Sequence, residues 1–441
     1  MARKLFVSLE DDLETPEVVA KETVTVAEND AEAAVAVINE TIEDIKEDVE
    51  TIEEAASDIE TLEDHTEVVE ESLAEDGEGI TEEHAKTLDI AVEHILKKLN
   101  YPKHKSLSVE NFGSVHSRKK ATKIALEGFK ETIVQLWEKL KAVAKQMWEK
   151  VVEFYNKYFT ELGRLKSGLD ALEKQVKEAK GGPKESVIKN NSLVKAFYDF
   201  KSKSIKIDEV IANHIGVTKG GLSFADGLTS LADSLASLFK KNADKVDLGE
   251  EALGEIVNVN DKLFDVLLSG KEEAGPFFNG SSFTLKEEEG SIGNQKMKFL
   301  VINYIPGEIK AEGLPALDKA GCEKYLSQAK ELLVLTEKYK EKQAKIKAFQ
   351  AAIGKISDAA ISIIKTSSEE DAEGKKKVLN AGRTLITKLN TFYTRALTSI
   401  PGLNTNVIKA AMNYVQASLR NMGEAAAETK EEGDTKALPA A

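Results

Sequence analysis

The sequence predicts a mostly α fold: long amphipathic helices and a helical bundle, one small β-hairpin at about residues 283–304, and an acidic coiled-coil-like helix near the N-terminus. Three observations predict it. Eight prolines in 441 residues, with 6% aromatics and abundant Ala, Glu and Lys, favour long helices over a sandwich or barrel. Apolar residues recur at helical spacing through most of the chain. One stretch, residues 31–62, keeps a 3.5-residue apolar repeat.

That repeat opens the chain's first folded element. Val35, Ile38, Ile42, Ile45, Val49, Ile52, Ala56 and Ile59 follow one another at steps of three and four. β-Branched residues dominate this seam, and nearly all the intervening positions are Glu, Asp or Thr. With only Lys46 as a base, the acidic flanks would repel an identical parallel partner. The seam is therefore expected to prefer a basic partner, the protein's own body, or a crowded assembly that screens its charge. A second helix is expected over 81–99, capped by Thr81, with Leu88, Val92, Ile95, Leu96 and Leu99 as its stripe. After it, Asn100-Tyr101-Pro102 through Ser108 is polar and expected to be extended.

Charge divides the chain at this point. Residues 1–110 hold 32 Asp and Glu against nine Lys and Arg, a net of −23. The whole chain carries −16, so residues 111–441 carry +7. An anionic segment is thus joined to a mildly cationic body, a pattern of interaction tails and of bodies that meet polyanions.

In the body, one or two helices are expected over 119–180, with Leu136, Trp137, Leu140, Met147, Val151, Phe154 and Tyr158 at helical spacing. Gly181-Gly182-Pro183 stops the run. Both tryptophans, Trp137 and Trp148, fit a packed helix face. Further helices are expected at 188–212, 225–246 and 250–268. Phe283–Lys286 and Lys296–Tyr304 alternate as strands around the turn residues 289–294, and such a hairpin must pack on helices to persist. Helices are then expected over 316–350, 351–366, 370–399 and 404–421. The reading gives four units: an acidic arm (1–110), a helical domain ending in the hairpin (111–313), a C-terminal helical bundle (314–422), and a tail without regular structure (423–441).

Signatures of chemistry are absent. The six histidines form no His-Glu-x-x-His pair and are expected in exposed polar roles; the single Cys322 excludes thiolate clusters and internal disulfides. Gly216-Val217-Thr218-Lys219-Gly220-Gly221 resembles a phosphate loop only superficially and is expected to be a plain turn. No cofactor, metal or catalytic residue is expected, and no stretch suits a membrane span or a secretory signal. Candidate contacts for non-specific DNA are Arg118, Lys119, Lys120, Lys338, Lys342, Lys345, Lys375, Lys376 and Lys377, although a solvated lysine face explains them better than DNA contact does.

An acidic helical N-terminal segment on a longer helical body resembles the internal head proteins of giant phiKZ-like tailed bacteriophages. The resemblance implies a structural precursor packed into the prohead and trimmed by a phage protease that cuts after a small-residue–any–Glu motif. Ser108-Val109-Glu110 matches that motif at the charge break, so the implied mature product begins at Asn111. Ser8-Leu9-Glu10, Ala20-Lys21-Glu22, Ala91-Val92-Glu93, Ala125-Leu126-Glu127 and Ala426-Ala427-Glu428 match as well; the extended setting is what selects Glu110. Implied partners are other head and scaffold proteins and the maturation protease, with the virion interior as the location after the host cytoplasm; self-association stays open. Two other readings compete: a cytoplasmic coiled-coil adaptor with a permanent acidic arm, and an amphipathic helical membrane-binding protein.

Overall fold

The computed structural model describes residues 16–73, 77–98, 113–241, 250–292, 295–304, 307–366 and 372–422. Among these the fold is mostly α, as the sequence predicts, with small antiparallel strand pairs. Its spine is α3 (Val115–Glu178), 64 residues and about 95 Å long. The Ser114 hydroxyl caps it by accepting the Ser117 N–H at 3.2 Å. The predicted stripe is its buried face, with Leu136, Trp137, Leu140, Met147, Trp148 and Val151 all fully covered.

Two other long helices lie along the spine. α1 (Pro16–Ser72) packs on α3 and on α9 (Ala372–Arg420). It runs antiparallel to both, since Asp48 meets Lys150 while Glu70 meets Lys130, and Ile42 meets Gly402 while Glu63 meets Arg383. α2 (Glu82–Lys98) follows α1. Then come α4 (Asn191–Ala196), α5 (Ile207–Lys241), α6 (Glu250–Leu267), α7 (Lys319–Glu337) and α8 (Gln343–Thr366). α5 is central to this second half and packs against α6, α7, α8 and α9. Buried apolar side chains from α1 through α9 form one connected cluster.

The hairpin is built of β5 (Ser281–Ile292) and β6 (Gln295–Tyr304), paired Phe283 to Ile302 and Leu285 to Leu300. A short β4 (Glu273–Ala274) joins the outer side of β5. The hairpin does not stand alone. Phe299 stacks on Phe392 of α9 at 4.7 Å, and α6 closes the free edge of β6: Asn260 donates to the Lys298 carbonyl and the Asp261 carboxylate accepts the Lys298 N–H. Elsewhere β1 (Val187–Ile188) pairs with β7 (Leu314–Pro315), and β2 (Tyr198–Asp199) with β3 (Ser204–Ile205).

Several boundaries differ from those the sequence predicts, each for a local reason. The helix expected over 188–212 is interrupted, because the Asp199 carboxylate accepts the N–H groups of Lys201 and Ser202 and makes a turn. Gly216–Gly221 is not a turn but lies inside α5. There Gly220 permits close approach: a Cβ would sit 2.2 Å from the Leu267 carbonyl oxygen of α6. The break expected at residues 400–403 is also absent, and α9 runs through Pro401. Proline cannot donate to the Leu397 carbonyl one turn back, and the Tyr155 hydroxyl of α3 donates to it instead at 2.7 Å. Tyr158 then donates to the Pro401 carbonyl at 2.8 Å. The helix expected over 316–350 tightens into a 3-10 turn at Lys338–Lys342.

Candidate functional site

The feature that gathers most of the sequence's candidate residues is the groove between α3 and α9, where α1 lies. Ile38, Ile45, Ile52 and Ile59 are each at most 1% exposed there. Steps of seven also bury a neighbouring row, Thr41, Ala55, Leu62 and Val69, which includes the half-buried Asp48. On the other flank Ile42 and Val49 are half-buried and Ala56 is buried. The side chain of Val35 lies outside the described residues. The apolar face is therefore three rows wide. Two rows make the seam of a coiled coil, whereas three suit a helix seated between two others. Sequence reasoning missed the Thr41 row because its first three members, Thr41, Asp48 and Ala55, carry little apolar signal, and only Leu62 and Val69 at its end do.

Close approach is built into the groove. A Cβ on Gly402 would lie 2.4 Å from Ile42 Cδ1, so Ile42 rests on bare backbone of α9. Charge lines both margins. Asp48 pairs with Lys150 at 2.8 Å and Glu70 with Lys130 at 2.9 Å, both on α3. On the α9 side Glu53 accepts the Thr391 hydroxyl at 2.9 Å, and Lys376 pairs with Glu67.

One acid lies within the third row itself. Glu63 is 10% exposed and Arg383, 2.5 Å away, is 8% exposed. Glu63 also accepts the Trp137 indole N–H at 3.4 Å, and Arg383 reaches Glu60 at 3.1 Å and Asn380 at 2.8 Å. Burial pushes the Glu63 carboxyl up to about 7, against the pull of the Arg383 guanidinium and the Trp137 N–H.

The joint between α1 and α2 is also fastened to the spine. Ile80 is buried and its N–H donates to Thr122 Oγ1 at 2.9 Å. Arg118 pairs with Glu78 at 2.6 Å. Thus two of the lysine and arginine candidates for DNA contact, Arg118 and Lys376, are engaged by the acidic segment. Lys119 is half-buried, while Lys120, Lys338 and Lys377 are exposed. Lys342 and Lys345 both pair with Asp226 of α5. The neighbouring Gln343 touches Asn156, which lies about 57 Å along α3 from Arg118. These cations therefore do not converge on one patch. The side chain of Lys375 lies outside the described residues, as do all of Ser108, Val109 and Glu110.

A second polar constellation has no sequence signature. His214, expected to be exposed, is fully buried on α5. Its Nε2 accepts the Phe278 N–H at 3.2 Å, so Nδ1 carries the proton and donates to Asn404 Oδ1 at 3.0 Å. Asn404 Nδ2 in turn donates to Thr218 Oγ1 at 2.8 Å and Thr336 Oγ1 at 3.2 Å. Burial pulls His214 down to about 4, and Asn404 opposes the shift. The network links α5, α7 and α9 without any charge. Of the other histidines, His84, His94 and His116 are exposed, His65 is half-buried, and His104 lies outside the described residues.

Among the described residues no group of His, Cys, Asp and Glu is placed to hold a metal ion, and no helix is long and apolar enough to cross a membrane. Cys322 is buried, which pushes its thiol up to about 12. A family model described as phiKZ-like phage internal head proteins matches residues 27–417, spanning both the acidic helix and the body. No curated protein and no solved structure matches the chain.

Proposed function

Because the chain belongs to the phiKZ-like phage internal head proteins, a family of structural components of the virion interior, we propose that it is made as a precursor and cut after Glu110 during head maturation. In this reading residues 1–110 are a masking segment, residues 111–441 are the mature product, and that product lies against packaged DNA. The observation that carries it is the pairing across the groove: acids of α1 occupy Lys130, Lys150, Lys376 and Arg383 of the body. While they do, those cations are withheld from phosphate groups. Parting the two segments would take the product from −16 to +7, the sign that favours residence beside a polyanion. The motif Ser108-Val109-Glu110 stands at the charge break, beyond the end of α2 at Lys98 and before the start of α3 at Val115. Scaffold proteins and the maturation protease are the partners this reading requires.

Mass-spectrometric mapping of N-termini in virion-derived protein tests it. The expected product begins at Asn111. An uncut peptide spanning Glu110 and Asn111 at full stoichiometry would overturn the cleavage and favour a permanent acidic arm.

A further inference from the structure

The three-row burial of α1 raises a difficulty for any scheme in which a single cut sheds the acidic segment. We propose that α1 stays seated in the α3–α9 groove, with α2 attached to it, after the chain is cut between α2 and α3, so that the cut alone yields a two-piece protein with unchanged net charge. Charge reversal then requires a separate displacing event. This inference rests on the reading that a cut occurs there, but it concerns a property of the groove that an engineered cut can measure.

The seat is apolar first and charged second. Four isoleucines at steps of seven are at most 1% exposed, and Ala55, Leu62 and Val69 are buried beside them. Such contacts do not weaken when salt screens the margins. Most of the ion pairs are by contrast partly exposed: Lys376 is 40% and Glu67 47% exposed, and Lys130 and Glu70 are each about a third exposed. A second anchor lies at the joint, where Ile80 is buried and hydrogen-bonded to Thr122. α2 adds Leu88, Val92, Ile95 and Leu96 to the same buried cluster. Departure of the segment would bare the groove across its length, including the backbone of Gly402 under Ile42. An apolar trough with basic margins fits an acidic helix with isoleucine rows far better than it fits a nucleic-acid backbone. The occupant that matches it is the segment already there.

The test uses the full chain with a protease recognition sequence placed within residues 99–112. After complete cutting, the two pieces are separated by size-exclusion chromatography at about 0.15 M and about 1 M salt, where the Debye length falls from about 8 Å to about 3 Å. Co-elution of the pieces at one-to-one ratio in both buffers, with separation only in denaturant, is expected. Separation at the lower salt overturns the proposal outright. Separation confined to the higher salt overturns its apolar basis. In the cut protein, Ile52→Asp with Ile59→Asp is expected to release at least tenfold more of the N-terminal piece. Unchanged co-elution of that variant would place the retention elsewhere and also overturn it. The virion N-terminus decides the cleavage reading independently, since the engineered cut gives its answer whether or not Glu110 is a natural site.

Discussion

The groove that holds α1 and the polar network around His214 bind helices together by opposite means. In the groove, charged residues stand at the margins and apolar rows occupy the middle. In the network, neutral polar groups occupy the middle: His214, Asn404, Thr218 and Thr336 satisfy one another with no ionised member. The contrast teaches where each kind of group is tolerated. Charges at a wet margin keep their hydration and contribute little net stability, whereas a hydrogen-bonding group far from water must have its partner. Glu63 is where the two regimes meet, an acid inside an apolar row whose burial only Arg383 and Trp137 offset.

The largest effect is expected at Asn404, which serves three neighbours. Asn404→Ala leaves the His214 Nδ1–H and the side chains of Thr218 and Thr336 without that partner in a dry setting. At about 1–3 kcal/mol for each unsatisfied buried group, the loss should reach about 4 kcal/mol by urea denaturation. A loss under about 1 kcal/mol would mean that water or repacking substitutes for the amide, and the proposed contrast would fail. Ile52→Ala should come next, at about 3 kcal/mol for a fully buried isoleucine. Its effect should be confined to the arm. Limited proteolysis is expected to cut α1 faster while α5 and α9 stay protected, and uniform loss of protection would show that arm and body unfold as one.

Acidity offers a way to move the two regions in opposite directions. His214 sits near 4 when folded against 6.5 ordinarily, so the unfolded chain takes a proton that the folded chain refuses. The network's contribution is therefore complete above about pH 6.5 and declines as pH falls toward 4. Glu63 has the reverse sign, near 7 when folded against 4.5 ordinarily. Its proton is taken by the folded arm first, so docking tightens as pH falls from 7 to 4.5 and loosens as pH rises through 7. Between pH 7 and 5, hydrogen-exchange protection, taken relative to the intrinsic exchange rate at each pH, should rise in α1 around Glu63 and fall in α5 around His214. Changes of the same sign in both would break the pairing of causes. Glu63→Gln should flatten the α1 response and leave that of α5 intact.

What the sequence made legible follows the same division. Periodic features came through: the long helices, the hairpin at Phe283–Tyr304, the buried tryptophan face and the Ile38–Ile59 row all repeat at spacings that report a buried side. Features that depend on one distant partner did not. Pro401 marks a break by every local rule, and only Tyr155, 246 positions earlier, supplies the missing donor. Gly220 suggests a turn until Leu267 is known to lie against it. His214 looks like a surface residue because nothing local announces Asn404. Within the candidate site, the acids and bases were legible as populations, yet which acid meets which base was not. Glu63 and Arg383 stand 320 residues apart, and neither belongs to the seam or the lysine clusters that the sequence singles out.

The smallest effect should fall on the feature most visible in the sequence. Lys376 pairs with Glu67 across the groove, and both side chains are 40% or more exposed. Glu67 also holds Lys376 above its ordinary range, with burial opposing. Solvent screens a pair of this kind, and ordering two long side chains offsets much of the attraction. Lys376→Ala should therefore cost no more than about 0.5 kcal/mol and leave the arm as protected from proteolysis as before. The same substitution should act on the rate of docking, because opposite charges steer an encounter over distances at which apolar contacts are silent. In the cut protein, after denaturation and dilution, re-seating of the arm should slow with added salt in the native chain and depend less on salt in the variant. A cost of several kcal/mol would instead make the charge split the glue of the assembly. The expected outcome assigns it a different part: charge brings the arm to its groove and sets its direction, and the isoleucine rows keep it there.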